Sequence, residues 1–146
     1  MHGVEPQPVD VTIEDIAHAL SMLCRFGGHV DEFYSVAQHS VLVSLVVARF
    51  QPDNHALHRA ALLHDASEAY LIDLPRPIKR DPTMYGYRAA EERLAAVTEA
   101  WLRLPLGAFE WPAVKRVDAA LLMTEARDLL TALQHHEGNT PRLRAA

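Results

Sequence analysis

Apolar residues recur at helical spacing along most of the chain, and the side chains that punctuate them mark where helices begin. Ile13, Ile16, Ala17, Leu20, Leu23 and Cys24 form one stripe. Thr12 stands where an N-cap belongs and Asp15 follows three residues later, which predicts a helix from about Ile13 to Cys24. Gly27 and Gly28 then stop it and free the backbone to turn. Ser35-x-x-Gln38 is a second capping pattern, ahead of a helix that turns Val36, Val43, Val46, Val47 and Phe50 inward. Asn54 is suited to cap a third helix running to about Tyr70. A more polar helix is expected over about 85–104, apolar at Leu94, Val97, Trp101 and Leu102 and charged at Arg88, Glu91, Glu92, Arg93 and Glu99. It reads as an outer or partner-facing helix. The last helix starts near Pro112, a residue suited to a first helical position, and continues to about His135. Val114, Val117, Leu121, Leu122, Leu129, Leu130 and Leu133 make its inner face. No stretch alternates with the period of a strand and no repeat is present, so the fold class is all-α, a helical bundle of about five to seven helices.

Size and charge narrow this. A chain of 146 residues suits a single domain spanning 1–146, with a core over about 12–133 and a tail over 137–146 expected to be disordered in part. The apolar fraction of 49% and charged fraction of 23% are those of a soluble globular protein. A net charge of -5 disfavours a surface for polymeric nucleic acid. The single cysteine, Cys24, excludes an intramolecular disulfide and a cysteine-built zinc site, which fits a reducing, cytoplasmic setting. The segment Met1 to Asp10 is no secretory signal, and the longest apolar run, Val41 to Ala48, falls far short of the ~20 residues that span a bilayer.

The chemistry lies in polar residues that interrupt the apolar stripes. Leu62-Leu63-His64-Asp65-Ala66-Ser67-Glu68 carries an imidazole and two carboxylates inside an apolar helix. Desolvating an unpaired carboxylate costs roughly several kcal/mol, so the cluster invites a cation. In a helix His64 and Asp65 can share one ion, with Glu68 beside it. His39 falls on the inner side of its helix, where it needs a hydrogen bond or a metal, and Asp118 falls inside a Val-Leu stripe, a candidate fourth ligand. Glu125, two turns on, would pair with an arginine such as Arg127 or Arg25. Arg25-Phe26 reads either as a dipole partner and core anchor or as a ligand contact. Pro75 and Pro77 predict an extended, stiff loop over 71–80 that holds Asp73 and Lys79 near the cluster, with Arg76 and Arg80 solvated. His55 and His58 read as surface residues.

The set His39, His64-Asp65 and Asp118, each on its own helix, resembles the H…HD…D signature of the HD-domain metal-dependent phosphohydrolases. His64-Asp65-Ala66-Ser67-Glu68 followed by Asp73-Leu74-Pro75-x-Pro77-x-Lys79 is similar to the YfbR-like branch of 5'-deoxynucleotidases, and Thr124-Glu125-Ala126-Arg127-Asp128 recurs in related bacterial phosphohydrolases. The resemblance covers about residues 12–133. It implies one divalent transition metal (Mn, Co, Zn, Fe or Ni) on His39, His64, Asp65 and Asp118, with Glu68 catalytic and Arg25, Phe26, Asp73 and Lys79 near the substrate. Gln38 and Phe26 depart from the Glu and Trp common at these positions in the nucleotidases.

Two histidines and two carboxylates leave open positions on such an ion, which suits hydrolysis by an activated water. The implied reaction removes phosphate from deoxynucleoside 5'-monophosphates. The alternatives are a triphosphohydrolase of deoxynucleoside triphosphates and a non-catalytic nucleotide-binding module, which the complete ligand set argues against. The same resemblance implies a homodimer or higher homo-oligomer, with the region of Leu94 to Leu102 as the contact.

Overall fold

The computed structural model describes residues 11–134, the last four by backbone alone. Expectations about Met1 to Asp10, the side chain of Leu133, His135 and the tail therefore lie outside the described residues. Five full helices and two single turns make the bundle: α1 (Ile13–Met22), α2 (Val36–Phe50), α3 (His55–Leu63), α4 (Glu68–Leu71), α5 (Arg76–Lys79), α6 (Tyr85–Trp101) and α7 (Pro112–Gln134). The described residues contain no strand, only an isolated antiparallel bridge between Cys24 and Ser35. None of their helices is long and apolar enough to cross a membrane.

Helix α2 is the centre, packed against α1, α3 and α7, while α1 also touches α4. Ile16, Val36, Val43, Ala60, Ala61 and Val114 are fully buried. Small Ala60 and Ala61 let α3 lie close on α2, and each large apolar side chain withdrawn from water contributes about 2 kcal/mol. The predicted starts are where the caps stand. The Asp15 amide donates to Thr12 Oγ1 at 3.2 Å, and the Leu57 amide donates to Asn54 Oδ1 at 3.1 Å. Ser35 and Gln38 close a full reciprocal capping box.

Several expectations need correction. α1 stops at Met22, because Leu23 and Cys24 turn extended and Cys24 pairs with Ser35. Phe50 is 74% exposed at the end of α2, where the helix outruns the core. The third helix does not continue to Tyr70. It ends at Leu63, and 64–67 form tight turns closed by bonds such as Glu68 N–H to Asp65 O at 3.0 Å. The loop over 71–80 is not extended throughout, since Arg76–Lys79 make a helical turn with Pro77 at the second position, where no amide proton is needed.

Glu99, one of the charged positions of the helix read as outer or partner-facing, is buried and accepts hydrogen bonds from the Gly107 amide (2.7 Å) and the Phe109 amide (2.9 Å). Nor does α6 present a free apolar stripe. Leu94 is buried, Val97 and Leu102 pack on the core, and Trp101 alone of the four is exposed. The helix ends in a Schellman turn, with Leu104 N–H on Glu99 O and Arg103 in the left-handed region without being glycine.

Candidate metal centre

Three helical elements bring the predicted ligands together. α2 supplies His39, the turn after α3 supplies His64 and Asp65, and α7 supplies Asp118. His39 Nε2 lies 3.2 Å from Asp118 Oδ1 and 3.9 Å from Asp65 Oδ2; His64 Nε2 lies 3.3 Å from Asp65 Oδ2 and 3.9 Å from Asp118 Oδ1. Donor atoms at about 2.1 Å from one ion stand roughly 3.0–3.5 Å apart, so these separations are close to a metal's first sphere. His39, His64 and Asp65 each offer a ligand atom within 4.8 Å of the others.

The tautomers decide what the site can accept. His64 Nδ1 lies 2.8 Å from the Ala61 carbonyl, an acceptor, so this nitrogen carries the proton and donates. Its buried Nε2 has no hydrogen-bond partner. His39 Nδ1 donates likewise to Glu125 Oε1 at 2.7 Å, which aims Nε2 at Asp118. In the neutral rings two lone pairs thus face two carboxylates, acceptor against acceptor. Either a proton or a metal cation relieves that repulsion, and the donor set, His39, His64 and Asp65 within mutual reach with Asp118 beside both imidazoles, fits a divalent transition ion.

The charges around the site respond accordingly. Burial opposes a charged His39, but its hydrogen bonds to Asp118 and Glu125 outweigh burial and raise its pKa. Asp118 is buried too, yet its hydrogen bond to His39 and the His64 imidazole 3.9 Å away hold it well below the usual carboxylate range. Glu68 behaves differently. Burial first, then the charges of Asp65 and Asp73, push it up to about 9, against the pull of Lys79 and Arg25. Its Oε2 is buried without a partner.

Arg25 sits at the base of a left-handed turn. Phe26, Gly27 and Gly28 all have positive φ, which the glycines adopt without cost and Phe26 does not. The turn is pinned by Arg25 N–H to Tyr34 O (2.8 Å) and Val36 N–H to Leu23 O (2.9 Å). The Arg25 guanidinium lies 5.5 Å from the Phe26 ring centroid and 3.0 Å from Glu125, while Arg127 pairs with its neighbour Asp128 instead. Tyr34 also donates to Glu125, at 2.8 Å.

A cleft of about 1210 Å³ opens over the cluster, and Arg25, Phe26, His64, Asp65, Glu68, Asp73, Lys79 and Asp118 all line it. Every residue the sequence assigned to substrate therefore shares one cavity with three of the four predicted ligands, while His39 is fully buried and does not line it. Arg76, taken as solvated, reaches Asp118 Oδ2 at 3.4 Å, although its side chain remains 55% exposed. Tyr34, Arg76 and Glu91, the partner of Lys79 at 2.6 Å, were not assigned from the sequence; their contacts join distant segments and leave no periodic signal. His55 and His58 stand apart from the site, edge to face with each other.

No protein-family model matches the chain. It is 46% identical over 120 residues to the uncharacterized protein YfdR of Escherichia coli, covering 82% of this chain and 62% of the relative. An uncharacterized protein of Rhodobacter capsulatus is 39% identical over 131 residues, covering 86% of this chain and 66% of the relative. The chain thus spans less than two thirds of the length of each of these curated relatives.

Proposed function

We propose that the protein is a metal-dependent phosphohydrolase of the HD-domain kind, acting on deoxynucleoside 5'-monophosphates. The observation that carries the reading is the unpartnered, buried His64 Nε2 set between Asp65 and Asp118, in a cleft also lined by cationic side chains. His39, His64, Asp65 and Asp118 would hold one ion of Mn, Co, Zn, Fe or Ni. Bound there, the ion supplies an electrophile for a phosphoryl oxygen and makes a water acidic enough to react near neutral pH.

The chain's own residues do the rest. Glu68, buried at the cleft wall with one oxygen unpartnered, is placed to order the attacking water, and its carboxyl, protonated near neutrality without a cation, would take the water's proton once a bound divalent ion pulls its raised pKa back down. Arg25, held by Glu125, whose carboxylate also accepts from Tyr34, presents a rigid cation to the phosphoryl group, and Lys79, paired with Glu91, lines the cleft beside it. Phe26 and Asp73 face the same cavity, as an apolar wall and an acceptor for a sugar hydroxyl. Within this reading the protein works in the cytoplasm as a homodimer or higher homo-oligomer.

The test is phosphate release by metal-reconstituted protein from deoxy- and ribonucleoside mono- and triphosphates, with products separated by chromatography. Orthophosphate from monophosphates supports the reading. Tripolyphosphate or pyrophosphate from triphosphates moves the protein to the triphosphohydrolases, and no turnover with metal bound argues for a binding module.

A further inference from the structure

The cleft is short of free positive charge. Five cations line it, Arg25, Arg76, Lys79, Arg80 and Lys115, against eight carboxylates. Four of the five are already engaged: Arg25 with Glu125 (3.0 Å), Arg76 with Asp118 (3.4 Å), Lys115 with Glu110 (3.4 Å) and Lys79 with Glu91 (2.6 Å). Among the described residues Arg80 is the one cleft cation without an ion pair, and Asp73 and Glu92 add carboxylates that no ion pair neutralises.

The pair of Lys79 and Glu91 differs from the others in what it controls. It is half-buried, and Lys79 is held from three sides: by Glu91, by the Tyr87 ring at 5.6 Å, and through its carbonyl, which accepts from Arg88 at 2.8 Å. Lys79 is therefore a fixed and neutralised cation, not a mobile one. A phosphate monoester dianion is matched by a single divalent ion. Each further phosphate adds negative charge and requires another free donor, or else it meets the acidic wall of α6.

We propose that Glu91 is a specificity-determining residue, neutralising Lys79 so that the cleft accepts a ligand with one phosphoryl group and disfavours chains of two or three. The inference rests on the phosphohydrolase reading above. Glu91 acts through Lys79 and touches none of the four metal donors, so its charge can be removed without disturbing them.

The experiment is calorimetric titration of protein carrying one bound Mn²⁺ per chain with orthophosphate and with pyrophosphate, metal retention being checked after each run. Wild-type protein is expected to bind orthophosphate at least as tightly as pyrophosphate. Glu91→Gln should tighten pyrophosphate about tenfold and orthophosphate far less, the gain expected when one charged donor is released. Adding Lys79→Met to Glu91→Gln should abolish that gain, which a merely structural role of Glu91 would not predict. An unchanged ratio in Glu91→Gln, or a gain that survives Lys79→Met, overturns the role of Glu91 while orthophosphate binding leaves the phosphohydrolase reading standing. Failure of the metal-loaded wild type to bind either anion overturns both.

Discussion

Glu125 Oε1 stands 2.7 Å from His39 Nδ1, and this contact turns the ring's other nitrogen toward Asp118, two turns earlier on the same helix. One helix thus supplies both Asp118 and the carboxylate that orients the histidine facing it. Glu125 also neutralises Arg25, so a single side chain ties the pair of His39 and Asp118 to the arginine that lines the cleft.

Glu125→Gln keeps an oxygen for His39 but removes the charge. Metal affinity is expected to fall about tenfold, within the range seen for residues that orient ligands, without loss of the fold. Competition with a chromogenic chelator measures it, and unchanged affinity would show that the contact does not tune the ligand.

Asp65 and Glu68 should separate cleanly. Asp65→Ala is expected to lose metal and turnover together, whereas Glu68→Gln keeps one metal per chain and loses turnover by about 10²–10⁴-fold. Metal analysis beside phosphate release distinguishes them. Full activity in Glu68→Gln would remove Glu68 from the chemistry.

The raised pKa of Glu68 gives a pH dependence of stability. Its carboxyl titrates near 4.5 when exposed and at about 9 in the fold. The folded state therefore binds the proton more tightly, and the contribution of Glu68 is fully present below pH 4.5 and lost as pH rises through 9. In metal-free protein, Glu68→Gln should raise Tm over wild type by an increment that grows between pH 5 and pH 9. A constant increment across that range would contradict the burial of an ionisable group there.

Glu99 offers a control that touches none of the predicted metal ligands. Its two oxygens each accept one amide, from Gly107 and Phe109, so Glu99→Ala leaves two donors unpaired and should cost roughly 2–4 kcal/mol. Glu99→Gln, with one amide oxygen, should fall between. Urea denaturation measures both, and metal affinity should be unchanged.

The helix starts were legible because Thr12, Ser35 with Gln38, and Asn54 carry their capping function in their own side chains. His39, Asp65 and Asp118 were legible for a related reason: a polar residue in an apolar stripe has to be explained by a partner. The ends of helices were less so. α6 stops on Arg103 in a left-handed turn that no glycine announces, and the turns at 64–67 follow an apolar pattern that a continuous helix would satisfy equally. Pairings across the chain had no local sign. Arg25 meets Glu125 across 100 residues, and the choice between Glu125's two candidate arginines is made by packing alone.

The most direct measurement is a titration of metal-free protein with Co²⁺, followed by visible absorption, on wild type and on His64→Ala and Asp118→Ala. The account predicts saturation at one Co²⁺ per chain in the wild type, with bands of a nitrogen- and oxygen-ligated ion, and loss of that site in both variants. No saturable binding, or binding that survives removal of His64 and Asp118, would contradict it.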